Sequence, residues 1–197
     1  MSEPSEQSPW KRLLAPWKIA AALLAVVLLV EVYLSWQERE PLAALQSHPA
    51  FATPPFDLQF SSRFPYDPHS FVGRGARAGL WQWTPEGLLL TEQGQKFFEQ
   101  SGEMFVSKAV AGTRRIKRIH AIRKINGQWR VEFLYEWTDV STPAAALLVP
   151  PPRTGEDYPG EAVLSRDEQG WHVRSLRTLD FEKPMEHLKD IAAGVRR

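Results

Sequence analysis

The side chains of this 197-residue chain that could do chemistry are thinly spread and do not converge in sequence. Five histidines, His48, His69, His120, His172 and His187, could hold a metal or move a proton. None stands in a His-Glu-x-x-His or other ligand-spaced pattern. Cysteine is absent, which removes thiol nucleophiles, Cys-based zinc sites, disulfides and a lipidated cysteine. There is no Gly-x-Ser-x-Gly elbow. Asp67 and His69 fall in DPHS, a turn composition. Glu186, His187 and Asp190 share one helical stretch, where a solvated face accounts for them. The run GRGARAG (73–79) lacks the Gly-Lys-Ser/Thr ending of a phosphate loop and the preceding strand of a dinucleotide fingerprint, so it reads as a flexible loop. No catalytic, cofactor-binding or metal-ligating residue is assigned on this basis. No cofactor is expected, and no reaction is read.

Two constellations remain. Arg114, Arg115, Lys117, Arg118, Arg123 and Lys124, with His120 among them, form a cationic stretch without an acid. An anionic partner would suit it: lipid headgroups, a cell-wall polymer or an acidic protein. The competing reading is an edge strand guarded against aggregation by its charges, with the stems covering aromatic rings. Net charge is only +1, so the chain as a whole is no electrostatic nucleic-acid binder. The second constellation is aromatic: Trp81, Trp83, Trp129, Phe133 and Trp137 could line a small-ligand or catalytic pocket beneath a curved sheet.

The elements that must position these residues are legible in part. GQWRVEFLYEWTD alternates Trp129, Val131, Phe133, Tyr135 and Trp137 against Arg130, Glu132, Leu134 and Glu136, the period of a half-buried strand. Asn126-Gly127 before it is the favoured pair of a two-residue hairpin. A simple register from that turn sets Lys117 opposite Glu136, Arg118 opposite Tyr135 and Lys124 opposite Trp129. Ile116, Ile119, Ile122 and Ile125 recur every third residue, which predicts a bulge near Arg118–Ile119. Residues 80–83 and 88–90 read as strands around the turn TPEG, and Thr91 caps a helix over 92–100. Residues 161–166 and 171–179 form two strands around DEQG, and an amphipathic helix covers 182–193.

Between residues 41 and 72, Pro41, Pro49, Pro54, Pro55, Pro65 and Pro68 enforce irregular chain after a short helix at 42–47. Phe51, Phe56, Phe60, Phe64, Tyr66 and Phe71 make the segment too aromatic for a solvated linker, so it should wrap the domain and plug its core.

The N-terminal end is different in kind. Ile19–Val30 is uninterruptedly apolar, and Trp17 to Trp36 matches a bilayer core in length with aromatic residues at both ends. Lys11, Arg12 and Lys18 place its N-terminal side in the cytoplasm. Ala21 and Ala25 offer a small-residue face to another helix, and Glu31 is the one carboxylate within the stretch.

LQSHPAF (45–51), LLLTEQGQKFF (88–98) and IHAIRKINGQWRVEFLYEW (119–137) together resemble an uncharacterised group of bacterial membrane-anchored or lipoprotein domains, over about residues 42–180. Members carry a lipidated cysteine where this chain has its apolar run. The resemblance implies an extracytoplasmic α+β domain and no reaction.

The expectation is an α+β protein: a cytoplasmic tail (1–16), one transmembrane helix (17–36), a Pro- and aromatic-rich wrapping segment (37–72) and an extracytoplasmic, periplasmic or extracellular domain (73–197). That domain should hold a curved antiparallel sheet of about four strands with helices on one face. The functional expectation is a single-pass accessory or assembly subunit that binds a protein partner in a membrane or envelope complex, with nucleic acid disfavoured.

Overall fold

The computed structural model describes residues 20, 21, 23–28 and 39–194. The chain divides into two compact units, Met1–Pro41 and Leu42–Arg197. In the first, residues 20, 21 and 23–28 are helical and exposed. No helix among the described residues is long and apolar enough to cross a membrane. Much of the expected span, Glu31 included, lies outside the described residues.

The second unit opens with helical residues 42–47 (α1) and α2 (Pro49–Ala52), followed by β1 (Gln59–Ser61), α3 (Phe71–Arg77), β2 (Trp81–Thr84) and β3 (Gly87–Leu90). After α4 (Glu92–Gln95) come β4 (Phe98–Ser101), β5 (Met104–Ser107), β6 (Gly112–Ile125) and β7 (Gln128–Val140). The chain continues through α5 (Thr142–Leu147), β8 (Tyr158–Asp167), β9 (Gly170–Arg177) and α6 (Leu179–Ala192). All strand pairs are antiparallel, in sheets of order β1-β5-β4, β2-β3 and β6-β7-β8-β9.

The class is α+β, but the expected single sheet of about four strands behind a transmembrane helix is corrected: the described residues form nine strands in three sheets, and none of their helices is long and apolar enough to cross a membrane. In the β1-β5-β4 sheet, β4 arises where a helix was expected. Thr91 does cap one, its Oγ1 accepting from the Gly94 N–H at 3.0 Å. That helix stops at Gln95, because Phe98 enters the core from an extended chain that pairs with β5 around Ser101-Gly102. Strand pairing overrides the helix preference of the Glu, Gln and Lys residues there.

GRGARAG is also corrected, from loop to helix. Ser70 caps α3 by accepting from the Val72 N–H at 3.2 Å. A Cβ on Gly75 would fall 1.9 Å from the Trp81 ring, and one on Gly73 would strike the Pro68 backbone. These glycines permit close packing. Trp81 completes the contact by donating its Nε1–H to the Val72 carbonyl at 2.8 Å.

The β6–β7 hairpin turns on Asn126 and Gly127, both at positive φ, and Ile125 pairs with Gln128. Val131, Phe133, Tyr135 and Trp137 are buried on one face, as their alternation requires. Register shifts between Ile116 and Arg118 and between Ile119 and Ala121 bring Ile116, Ile119 and Ile122 opposite Tyr135, Phe133 and Val131. Each shift adds one residue to β6, which is how a spacing of three keeps one face.

Phe51 packs edge-on against Phe133 and Tyr135, each at 5.5 Å, while Phe181 of α6 lies 5.8 Å from Trp137. A second cluster joins Phe60 to Phe71, Trp81, Phe98 and Phe105. Phe51, Phe56, Leu58 and Phe60 are sealed in the core, whereas Tyr66 is 48% exposed.

Candidate functional site

The cationic stretch does not act as one surface. Arg114 is buried at 3% exposure, although charge pattern alone places it outside. β6 and β7 shift register between Thr113 and Arg114, which sets Arg114 opposite Trp137 on the core face. Its guanidinium lies over Phe51, Tyr135, Trp137 and Phe181 at 4.9–5.5 Å from the ring centroids. It donates from Nε to the Phe51 carbonyl at 2.9 Å and from Nη2 to the Ala50 carbonyl at 3.0 Å. These contacts tie the wrapping segment to the sheet.

The counter-charge is Asp180, in the first turn of α6, which sequence reasoning did not single out. Its carboxylate accepts from the Tyr135 hydroxyl and, at 2.9 Å, from Trp137 Nε1. Burial pushes the Asp180 carboxyl up to about 6, against the opposing pull of Arg114. Burial likewise lowers Arg114 to about 10, while Asp180 and Glu182 oppose the fall, so Arg114 stays charged at neutral pH. The expected helix began only at 182, so Asp180 fell between elements; in the structure it is an acid in the first turn of α6, a pattern that ordinarily serves the helix dipole.

Arg115 and Lys117 are tied down on the outer face. Arg115, rather than Lys117, pairs across from Glu136, and their side chains meet at 2.5 Å. Lys117 is the extra residue of the first bulge and reaches both Asp157 at 2.6 Å and Glu136 at 3.6 Å. These contacts hold the Glu136 carboxyl below its ordinary range, the Arg115 hydrogen bond first among them. Arg118 stands opposite Leu134 instead of Tyr135, because the bulge moves the register. Arg118, Arg123 and Lys124 are exposed. Lys124 pairs with Trp129 as the simple register had it, its Nζ 5.4 Å from the ring centroid.

The aromatic constellation does not converge. Trp81 belongs to the Phe60 cluster, Phe133 and Trp137 to the core face of β7, and Trp129 to the far end of the sheet beside Trp171. Trp83 is 52% exposed, with its ring 5.9 Å from that of Tyr66. Ala21 and Ala25 are exposed on their helical stretch.

Open grooves do exist. One of about 460 Å³ is lined by Phe133, Gly160, His120, Glu132, Arg177 and Lys183. Another, of about 440 Å³, runs beside α6 over Pro54, Pro55 and Met185. Among the described residues no group of three or more His, Asp or Glu could hold a metal ion.

No protein-family model, curated protein or solved structure matches the chain.

Proposed function

We propose that the chain is an accessory or assembly subunit of a membrane or envelope complex, and that its α+β domain binds a protein partner. The observation that carries this reading is the contrast between a ring-filled interior and an exposed aromatic pair. Phe51, Phe133, Tyr135, Trp137 and Phe181 pack together beneath the sheet. Tyr66 and Trp83 meanwhile present half their surfaces to solvent. Tyr and Trp, with Arg, are enriched among the residues that anchor protein interfaces. The apolar stretch Ile19–Val30 and its cationic flank support a place at a cell membrane, with the domain outside the cytoplasm.

The test is site-specific photo-crosslinking in cells from a benzophenone side chain at position 83, with a matched probe at Ser101. A discrete adduct from position 83 that Tyr66→Ala weakens supports the reading. A protein that purifies alone and monomeric in mild detergent at every salt concentration, with no adduct from position 83, would defeat it.

A further inference from the structure

The far end of the four-stranded sheet carries a feature that the protein-docking reading does not use. Lys124, Trp129, Trp171 and Arg166 form a row of cation, ring, ring and cation. Lys124 Nζ is 5.4 Å from the Trp129 ring, the two indoles are 5.6 Å apart at 65°, and the Arg166 guanidinium is 5.6 Å from the Trp171 ring. Both indoles are half-buried. Next to them, at the turn, Ile125 is 49% exposed.

The charge around this row is one-sided. Residues 118–130 hold Arg118, Arg123, Lys124 and Arg130 with no acid, and residues 163–174 add Arg166 and Arg174 against Asp167 and Glu168. Asp167 is engaged locally, accepting from the Gln169 N–H and meeting His172 Nε2, each at 2.9 Å. Arg130 is paired with Glu161 and Arg174 donates to the Ser165 hydroxyl. Arg118 and Arg123 reach no carboxylate among the described residues.

Protection of an edge strand accounts for the charges on β6. It accounts for neither the exposed isoleucine at the tip nor the paired indoles beside it. An aliphatic tip, indoles part-way between apolar and wet surroundings, and a collar of Lys and Arg are together the chemistry of a lipid interface carrying negative headgroups. A soluble polyanion would use the cations and rings but gain little from Ile125.

We propose that the β6–β7 hairpin tip docks on an anionic bilayer surface. Ile125 and the exposed parts of the indoles enter the boundary between headgroups and acyl chains, and Arg118, Arg123 and Lys124 meet lipid phosphates.

The absence of native cysteine permits a clean test. A polarity-sensitive fluorophore is placed on the full chain at Gln128→Cys beside the turn, or at Ser101→Cys as a reference; both positions are exposed. Each labelled protein is titrated with phosphatidylcholine vesicles and with vesicles that also contain phosphatidylglycerol, some carrying a lipid-borne quencher. The readout is local to the tip, and the Ser101 reference reports any general approach of the domain to the bilayer.

The tip probe should shift blue and be quenched with phosphatidylglycerol vesicles only, and the effect should weaken as salt is added. Each cation removed should weaken tip insertion, read from the tip probe, about fivefold, so the R123E/K124E pair should lower it by at least tenfold, and Ile125→Ser should reduce quenching by acyl-chain quenchers. Two results would overturn the proposal. One is a tip probe that stays water-like on anionic vesicles, or responds equally to neutral ones. The other is equally tight binding of a soluble anionic polysaccharide that Ile125→Ser does not affect, which would assign the patch to a polymer.

Discussion

Replacing Asp180 with Asn should flatten the dependence of stability on pH between about 4 and 6. In the folded protein the carboxyl is raised from its ordinary 3.8 to about 6, chiefly because burial disfavours its charge. Below about pH 4 it is protonated in both the folded and unfolded chain, and the folded state benefits fully. As pH rises towards 6 the unfolded chain ionises first, so stability falls, and above that pH the contribution is gone. The difference would correspond to about 3 kcal/mol if fully expressed. The carboxyl is partly exposed, so screening reduces the expected effect to about 2 kcal/mol.

An Asn at this position keeps one acceptor for Tyr135 or Trp137 and loses the other. That cost is the same at every pH and cancels when the two pH values are compared. The assay is urea unfolding of the full chain and of Asp180→Asn, followed by tryptophan fluorescence at about pH 4 and about pH 7. The wild-type protein should lose about 2 kcal/mol more than the variant between those two conditions. Parallel stability curves would refute the reasoning and place the Asp180 carboxyl in its ordinary range.

Other perturbations probe the packing. Arg114→Ala removes two hydrogen bonds to the wrapping segment and a cation held among four rings, and should cost about 3–5 kcal/mol in the same unfolding assay. Gly75→Ala would ordinarily favour a helix, but its Cβ would collide with Trp81, so a net loss of roughly 2 kcal/mol is expected, with a changed near-UV tryptophan signal. Replacing Asn126-Gly127 by Ala-Ala forces alanine into left-handed backbone, at about 1–2 kcal/mol per residue, and amide exchange should quicken first at the Ile125 end of β6.

The long hairpin was legible because three local signals agreed: strict alternation in β7, an Asn-Gly pair before it, and isoleucines whose spacing demanded a bulge. The β2–β3 hairpin followed from TPEG for the same reason. The β1-β5-β4 sheet was not legible. Its strands are three or four residues long, and nothing local distinguishes Phe98–Ser101 from the last turns of a capped helix. Only pairing with β5 does so. GRGARAG misled because glycine signals both freedom and closeness, and the Trp81 ring that decides between them comes from another element.

Arg114 shows the same limit at the candidate site. Its neighbours in sequence are surface cations, and one irregularity at Thr113/Arg114 turns it inward to partners from α2 and α6. Asp180 became visible only through those partners.

The bulges of β6 bear on how this strand can change length. β6 spans Gly112–Ile125, yet Lys117 and His120 stand opposite no residue of β7 in the ladder. They are supernumerary. Deleting either one regularises the ladder and leaves every isoleucine on the face it already occupies. Deleting Ile119 or Ile122 would instead take an apolar residue from the core face and force the strand to re-pair. Single-residue length variation in this strand should therefore be tolerated at these two positions and poorly elsewhere, so residue loss can alter its outer charge without disturbing the core beneath it.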